Sequence, residues 1–422
     1  MKSIKLLTVV EKVISLAKKD SFKDGFRMSK KDFTRNRKFS FFDNVMLILQ
    51  CGKCSLQSSI DMYLNTRKEY NMEYSKQAFS KGRRRIKAEA FKALMDASVQ
   101  GFYEDKRYNT FNGYLLLSID GSDYNLPNTP DLLETFGSEP FKHGLQAQAQ
   151  TSCLYDVLNG VVLDAEIQPY SASERALALT HLKKFRENMD EKAIILMDRG
   201  YPSFDLMYNI DELKLNYLMR CNKHNFLKEI RDTKTDDEAV CIERNGKELT
   251  VRVVTLKIND KDYTFITNLT DKNITATVIA ELYTKRWNIE TLYKQLKNKM
   301  EVENFTGLDE LCIKQDFYAT MVLLNMAASA IFDSQIKLDK TNAKKELTRT
   351  YKINHTYAIS ELKMRLIKMV YTDSAFVQMR EIKYIQRSLL KNIVAYQPER
   401  KSKRCVKHPC IKFPVNSKRT LL

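Results

Sequence analysis

Five consecutive apolar residues, Ala193–Met197, run directly into Asp198-Arg199-Gly200-Tyr201. A strand with no polar face suits the centre of a sheet covered on both sides, so this segment commits the chain to an α/β architecture. A second such run, YLLLSIDGSD from Tyr114, reads as a buried strand that stops in a turn at Asp120-Gly121. Leu145–Tyr155 and Val161–Gln168 read as two more strands, with Asn159-Gly160, a strong hairpin signal, between them. Ser171 and Glu174 have capping-box spacing at the head of a helix over Ser171–Glu187. A short helix at Ser203–Lys214 and a strand at Asn216–Cys221 follow.

The resulting order is β-β-β-α-β-α-β, with an aspartate closing the first and fourth strands. This is the order of the ribonuclease-H-like fold, a mixed sheet containing a hairpin and flanked by helices. Residues 223–275 interrupt it. Glu248–Leu256 and Lys261–Leu269 alternate in the β manner around Asn259-Asp260, which predicts a β-rich insertion.

Beyond the insertion, Leu282–Met300 reads as one amphipathic helix. Tyr283, Arg286, Glu290 and Lys297 fall within roughly 60° of one another at 100° per residue. Leu282, Ile289, Tyr293, Leu296 and Met300 form the adjacent apolar stripe that docks it. Trp287, the single tryptophan, is expected to pack in the core, stacking on an unpaired base being the other reading. Ile313–Ile331 predicts a core helix too short and polar to cross a membrane, and Ala358–Tyr371 a further helix.

The N-terminal hundred residues show helical periodicity in Leu6–Ala17, Phe41–Leu49 and Ile86–Val99. Basic clusters interleave with these: Arg35, Arg37 and Lys38, then Arg83, Arg84 and Arg85 on a helix that Ser75 or Ser80 would cap. The chain carries 70 Lys+Arg against 52 Asp+Glu, a net charge of +18, so its partner is expected to be a polyanion. Nucleic acid is preferred over an anionic membrane surface, and the clusters read as a helical DNA-binding region. The N-terminus lacks a cleavable leader pattern, and the eight scattered cysteines fit reduced thiols, so the expected location is cytoplasmic. Cys51 and Cys54 have zinc-knuckle spacing, but Cys405, His408 and Cys410 are too distant in sequence and too irregular to be expected to complete a site. The basic, proline-bearing segment from Gln397 is expected to touch phosphates.

Three acids stand out by position: Asp120 and Asp198 at strand ends, and Glu290 on the later helix. Asp123 competes with Asp120 for the first place. Three carboxylates on rigid mounts are hard oxygen ligands suited to Mg2+ or Mn2+. Such ions activate an attacking oxygen and stabilise a leaving one in phosphoryl displacement. Arg286 and Lys297 would add charge-assisted bonds to a neighbouring phosphate.

IDGS at Asp120, MDRGY at Asp198 and Y-x2-R-W-x-I-E-x6-K over Tyr283–Lys297 resemble the DDE transposases of the insertion sequence four family, whose Tyr-Arg-Glu-Lys motif they match. The likeness extends over residues 35–400 and includes NFTG at Asn304–Gly307. It implies that Asp120, Asp198 and Glu290 are the metal-binding catalytic triad, and that Tyr283, Arg286 and Lys297 contact DNA phosphates near the cut. It also implies cut-and-paste transposition: nicking of terminal inverted repeats, then attack of the freed 3′-hydroxyl on target DNA, in a homodimeric paired-end complex with no membrane partner. A nuclease without strand transfer and a non-catalytic DNA-binding regulator are the alternatives. The expected division is a helical DNA-binding region at 1–110, a catalytic core at 111–222 and 276–336, the β-rich insertion at 223–275, and C-terminal helices with a basic tail at 337–422.

Overall fold

The computed structural model describes residues 4–35, 37–50, 55–141, 144–258, 260–271, 273–298, 300–343 and 350–396. Cys51, Cys54 and the tail from Gln397 lie outside the described residues. Six helices open the chain: α1 (Lys5–Ala17), α2 (Asp20–Phe26), α3 (Phe41–Gln50), α4 (Leu56–Thr66), α5 (Lys76–Arg83) and α6 (Glu89–Tyr103). Strand β1 (Leu115–Asn125) is followed by α7 (Pro130–Phe136), β2 (Ser138–Phe141), β3 (Gly144–Asp156) and β4 (Val161–Pro169). Next come α8 (Glu174–Asn188), β5 (Ala193–Met197), α9 (Phe204–Glu212), β6 (Asn216–Cys221) and the single turn α10 (Lys228–Arg231). β7 (Asp237–Arg244), β8 (Lys247–Ile258) and β9 (Lys261–Thr267) precede α11 (Ala276–Lys285) and α12 (Trp287–Asn298). The chain ends in α13 (Glu310–Ala343), β10 (Thr350–Ile353), α14 (His355–Val370), α15 (Ala375–Lys391) and β11 (Ile393–Tyr396).

These elements form two compact units, each assembled from separate stretches: 1–107, 124–149 and 296–422 in the first, 108–123 and 150–295 in the second. This departs from the five-part division expected from the sequence. Residues 296–336 group with the N-terminal helices because α13 packs against α1, α3, α6 and α14.

In the first unit, α13 is the central element. It has 34 residues, far longer than Ile313–Ile331, and its most apolar window is long and apolar enough to cross a membrane. That window is 83% buried inside the protein, so its apolar surface is consumed by neighbouring helices. α1 begins at Ile4, which offers no capping side chain. The first backbone N–H groups, of Lys5 and Leu6, instead donate to the Asp333 carboxylate of α13 at 3.2 and 3.1 Å. Ser75 caps α5, its hydroxyl accepting from Ala78 N at 3.2 Å.

The second unit is a mixed sheet flanked by helices. Its strands lie in the order β3-β1-β5-β6-β9-β8-β7, and β4 also pairs with β3. β1, β5 and β6 are parallel; β9 joins β6 antiparallel and β8 and β7 continue in the same sense. The strands expected to form a separate β-rich insertion therefore extend the sheet, Leu218–Cys221 of β6 pairing with Thr264–Thr267 of β9. Every residue of β5 is buried, as its apolar run requires. α8 starts later than its Ser171 signal suggests: Ser173 is the N-cap, its hydroxyl accepting from Ala176 N at 3.4 Å. The Leu282–Met300 stretch is two helices rather than one, with Arg286 at the junction between α11 and α12.

Candidate active site

The β1–β5 ladder pairs Leu115 with Ala193 and ends at Ser118 opposite Leu196, a constant offset of 78 residues. Asp120 and Asp198 are separated by the same 78 residues (198 − 120), so each lies two positions past the last rung, on neighbouring strands. β5 stops at Met197, but β1 runs on to Asn125, since β3 continues to pair with it. Asp120 thus marks the end of one ladder, not the end of its strand as the sequence suggests. The backbone beyond each aspartate folds onto its carboxylate: Gly121 N donates to Asp120 Oδ1 at 3.0 Å, and Gly200 N to Asp198 Oδ1 at 2.7 Å.

Glu290 reaches this point from α12. Ile289 is fully buried and anchors the first turn of that helix. Tyr293, one turn past Glu290, donates its hydroxyl to the Asp120 backbone carbonyl at 2.7 Å. Arg286 completes the arrangement. Its Nη2 donates to Glu290 Oε1 at 2.8 Å and its Nη1 lies 3.6 Å from Asp120 Oδ2. The guanidinium is 5.7 Å from the Tyr283 ring centroid and 5.1 Å from that of Trp287. Trp287 is 52% exposed, so it is a surface residue beside the site and not the core residue expected.

Burial dominates the electrostatics. It pushes the Asp120 carboxyl up to about 6; the Arg286 charge opposes the shift, and the Asp198 and Glu174 charges add to it. Glu174 is also raised, first by burial, against a hydrogen bond from Gln150 and with help from Asp198 and Asp123. Two buried polar atoms here have no hydrogen-bond partner: Arg286 Nε and the Tyr201 hydroxyl. Sequence reasoning singles out neither Glu174 nor Tyr201 as a site residue. Glu174 reads as half of a capping box, and only a view of which acids share one end of the sheet separates it from an ordinary helix-start glutamate.

The structure brings Asp120, Asp198, Glu290, Arg286 and Tyr283 into one neighbourhood of the second unit. Lys297, further along α12, is counted with the first unit, where its ammonium is 5.2 Å from the Tyr124 ring centroid. Among the described residues no three His, Cys, Asp or Glu side chains are gathered into a preformed metal cage. The donor set itself fits a hard divalent cation, being all carboxylate, with orphaned polar groups from Arg286 and Tyr201 beside it.

The basic N-terminal residues divide. Arg83 is 2% exposed and fully engaged, with Nη2 on Asp316 Oδ1 at 2.8 Å, Nε on Gln315 at 2.9 Å and Nη1 on Thr306 at 2.6 Å. A phosphate cannot reach it, so its expected DNA contact is replaced by a structural ion pair between α5 and α13. Arg84 is largely exposed and pairs with Asp309 at 2.9 Å. Arg35, Arg37, Lys38 and Arg85 line a cleft of about 1020 Å3 together with Lys18, Lys19, Lys23 and Lys81. Eight cations thus face it against two acids, Asp20 and Glu73. Its aromatic wall includes Phe39 and Tyr74, stacked with centroids 3.8 Å apart.

Comparison with known proteins finds similarity to transposases. A family model described as the transposase DDE domain matches residues 112–326, 215 of the 422. The InsG transposase of insertion sequence element IS4 from Escherichia coli is 22% identical over 266 residues, covering 59% of each chain. A putative transposase of Sinorhizobium fredii is 28% identical over 158 residues, covering 33% of this chain and 44% of that one. The chain therefore spans less than two thirds of the length of either relative. Among solved structures, a piggyBac transposase synaptic complex with hairpin DNA superposes with a TM-score of 0.46 at 11% identity, covering 92% of this chain and 83% of that one.

Proposed function

The chain belongs to the DDE transposase domain family, and on that premise we propose that it is the transposase of a bacterial insertion sequence. In this reading the second unit is a ribonuclease-H-like core that cleaves DNA at the element's ends and joins the freed 3′-hydroxyl to target DNA. Asp120, Asp198 and Glu290 are its catalytic carboxylates. The observation that carries the reading is the strand register, which sets Asp120 beside Asp198, combined with the Arg286 bridge from Asp120 to Glu290.

Mg2+ or Mn2+ held by those three acids would activate the attacking oxygen and stabilise the leaving one. The chain's own residues perform the rest. Arg286 holds Glu290 and Asp120 together. Tyr283 and Trp287 flank the guanidinium and limit the directions in which it can turn. Tyr293 ties α12 to the backbone of β1, so that Glu290 keeps its distance from the strand that bears Asp120. Lys297 adds a cation for the neighbouring phosphate. The cleft in the first unit supplies a sequence-independent electrostatic grip on the DNA backbone.

The test uses purified protein, Mg2+ and a donor plasmid carrying the element's terminal inverted repeats. The expected products are cleaved ends and joined molecules. Glu290→Gln is expected to abolish both while keeping binding to the ends; normal cleavage by that variant would overturn the assignment. Cleavage without joining would indicate a nuclease, and neither product a DNA-binding regulator.

A further inference from the structure

The space beside Gly121, the residue after Asp120, is filled by the ends of two neighbouring side chains. A Cβ built there would stand 2.7 Å from Glu174 Oε1 and 2.6 Å from Gln150 Nε2. Gln150, on β3 and 5% exposed, donates that Nε2 to Glu174 Oε1 at 3.1 Å. The Glu174 carboxylate is therefore seated on the β1 backbone one residue from Asp120. Its mount is rigid, since Ser173 caps α8 immediately before it. One oxygen is held by Gln150, and the other takes no hydrogen bond among the described residues. Glu174 is also the next charge after Asp198 to act on Asp120, and Asp198 is the strongest to act on Glu174.

A second observation comes from the neighbouring loop. Tyr201 is 1% exposed and its hydroxyl has no hydrogen-bond partner. A buried polar group left in that state is unfavourable until something satisfies it. The hydroxyl lies within reach of the charges of Glu174, Asp120 and Asp198, in that order of strength, and burial holds it in the phenol form. The loop that carries it is fixed by Arg175, next to Glu174, whose Nη2 donates to the Gly200 carbonyl at 2.8 Å. The Tyr201 hydroxyl is thus a neutral donor in the field of three carboxylates.

Resting on the metal reading of this site, we propose that Glu174 is a fourth carboxylate of the centre, offering its unengaged oxygen to the divalent cation held by Asp120 and Asp198, with Tyr201 as a neutral hydrogen-bonding partner within the same shell. The cluster would then differ from a three-acid centre in how tightly it holds the ion.

Mn2+ binding to the full-length protein, measured by electron paramagnetic resonance and by the metal-induced rise in unfolding temperature, tests this without any cleavage assay. Glu174→Gln is isosteric and keeps an oxygen for Gln150. It is expected to lower Mn2+ affinity by about tenfold or more, with the unfolding temperature in EDTA unchanged or raised. Tyr201→Phe is expected to keep its metal-free stability and to weaken Mn2+ a few-fold. Wild-type Mn2+ affinity and stabilisation in Glu174→Gln would overturn the fourth ligand, and wild-type affinity in Tyr201→Phe would overturn the role of the phenol. Asp198→Asn separates the two levels of the argument. If it loses Mn2+ while Glu174→Gln does not, only the fourth carboxylate fails; if both bind normally, the metal site itself fails.

Discussion

Asp120→Asn removes a charge that the fold holds at a cost. The carboxyl is pushed from 3.8 to about 6, chiefly by burial, after the opposing pull of Arg286. A shift of roughly two pH units corresponds to about 3 kcal/mol against the ionised form at neutral pH. The side chain is 21% exposed, so solvent screening removes little of this. Substitution also takes from Arg286 a carboxylate at 3.6 Å, leaving it Glu290 at 2.8 Å, and relieves Asp198 and Glu174 of a like charge. The net expectation is a gain of about 1–3 kcal/mol for the asparagine variant at roughly pH 7.5 in EDTA. A carboxyl raised on folding destabilises when ionised, so the sign is opposite to that of a salt-bridged aspartate. Below about pH 4 it is protonated in both the folded and unfolded chain and the variant gains nothing. The gain grows between about pH 4 and 6 and is complete above that range. Urea unfolding followed by circular dichroism across this range measures it, and Mn2+ should reverse the order by stabilising the wild type alone. Equal or lower stability of Asp120→Asn in EDTA above about pH 7, or a difference independent of pH, would refute the reasoning.

Two further outcomes are expected from the first unit. Arg83→Ala leaves Asp316 buried without its cation and should cost about 3–5 kcal/mol in urea unfolding, whereas Arg84→Ala, at an exposed pair, should change stability by about 0.5 kcal/mol or less. Equal effects would show that Arg83 is not the structural member of the cluster. Arg37→Ala with Lys81→Ala should weaken binding to any duplex and reduce the slope of log affinity against log salt by about two, one for each phosphate that is no longer neutralised, with an unchanged unfolding midpoint. An unchanged slope would remove the cleft from the DNA path.

The parts of the fold that are legible in the sequence are those set by short-range apolar pattern. Ala193–Met197 and Asn216–Cys221 are strands with the expected bounds, the first an apolar run closed by a polar residue and the second built around Tyr217–Met219. The 78-residue spacing of Asp120 and Asp198 is also visible there, but its meaning is not. Nothing local says that β1 and β5 are adjacent and parallel, and only that pairing turns the spacing into a register. The later strand β7 escapes a pattern search because its alternation is between exposed and half-exposed residues, with Ile242 alone buried. The arginine run at 83–85 looks uniformly solvated because the acid that claims Arg83 is 233 residues away in sequence.

The helix break at Arg286 illustrates what pattern cannot report. Helical periodicity over Leu282–Met300 is unbroken, and it groups Tyr283, Arg286, Glu290 and Lys297 within one arc. Yet at the junction the Arg286 N–H bonds Tyr283 O at 3.1 Å, a three-residue closure, and the stretch divides there into α11 and α12. The same residue then turns its guanidinium to Asp120 and Glu290 instead of solvent, although an arginine there is the natural choice for an exposed i,i+4 pair. Gly121 makes the complementary point. Its sequence context advertises a turn, but β1 continues through it, and the end of the Glu174 side chain occupies the space where a Cβ would stand. A residue whose local role is already plausible conceals its tertiary one. At this site that holds for Arg286, Gly121 and Glu174 alike, each of which satisfies a rule of local structure while standing among the acids at the end of the sheet.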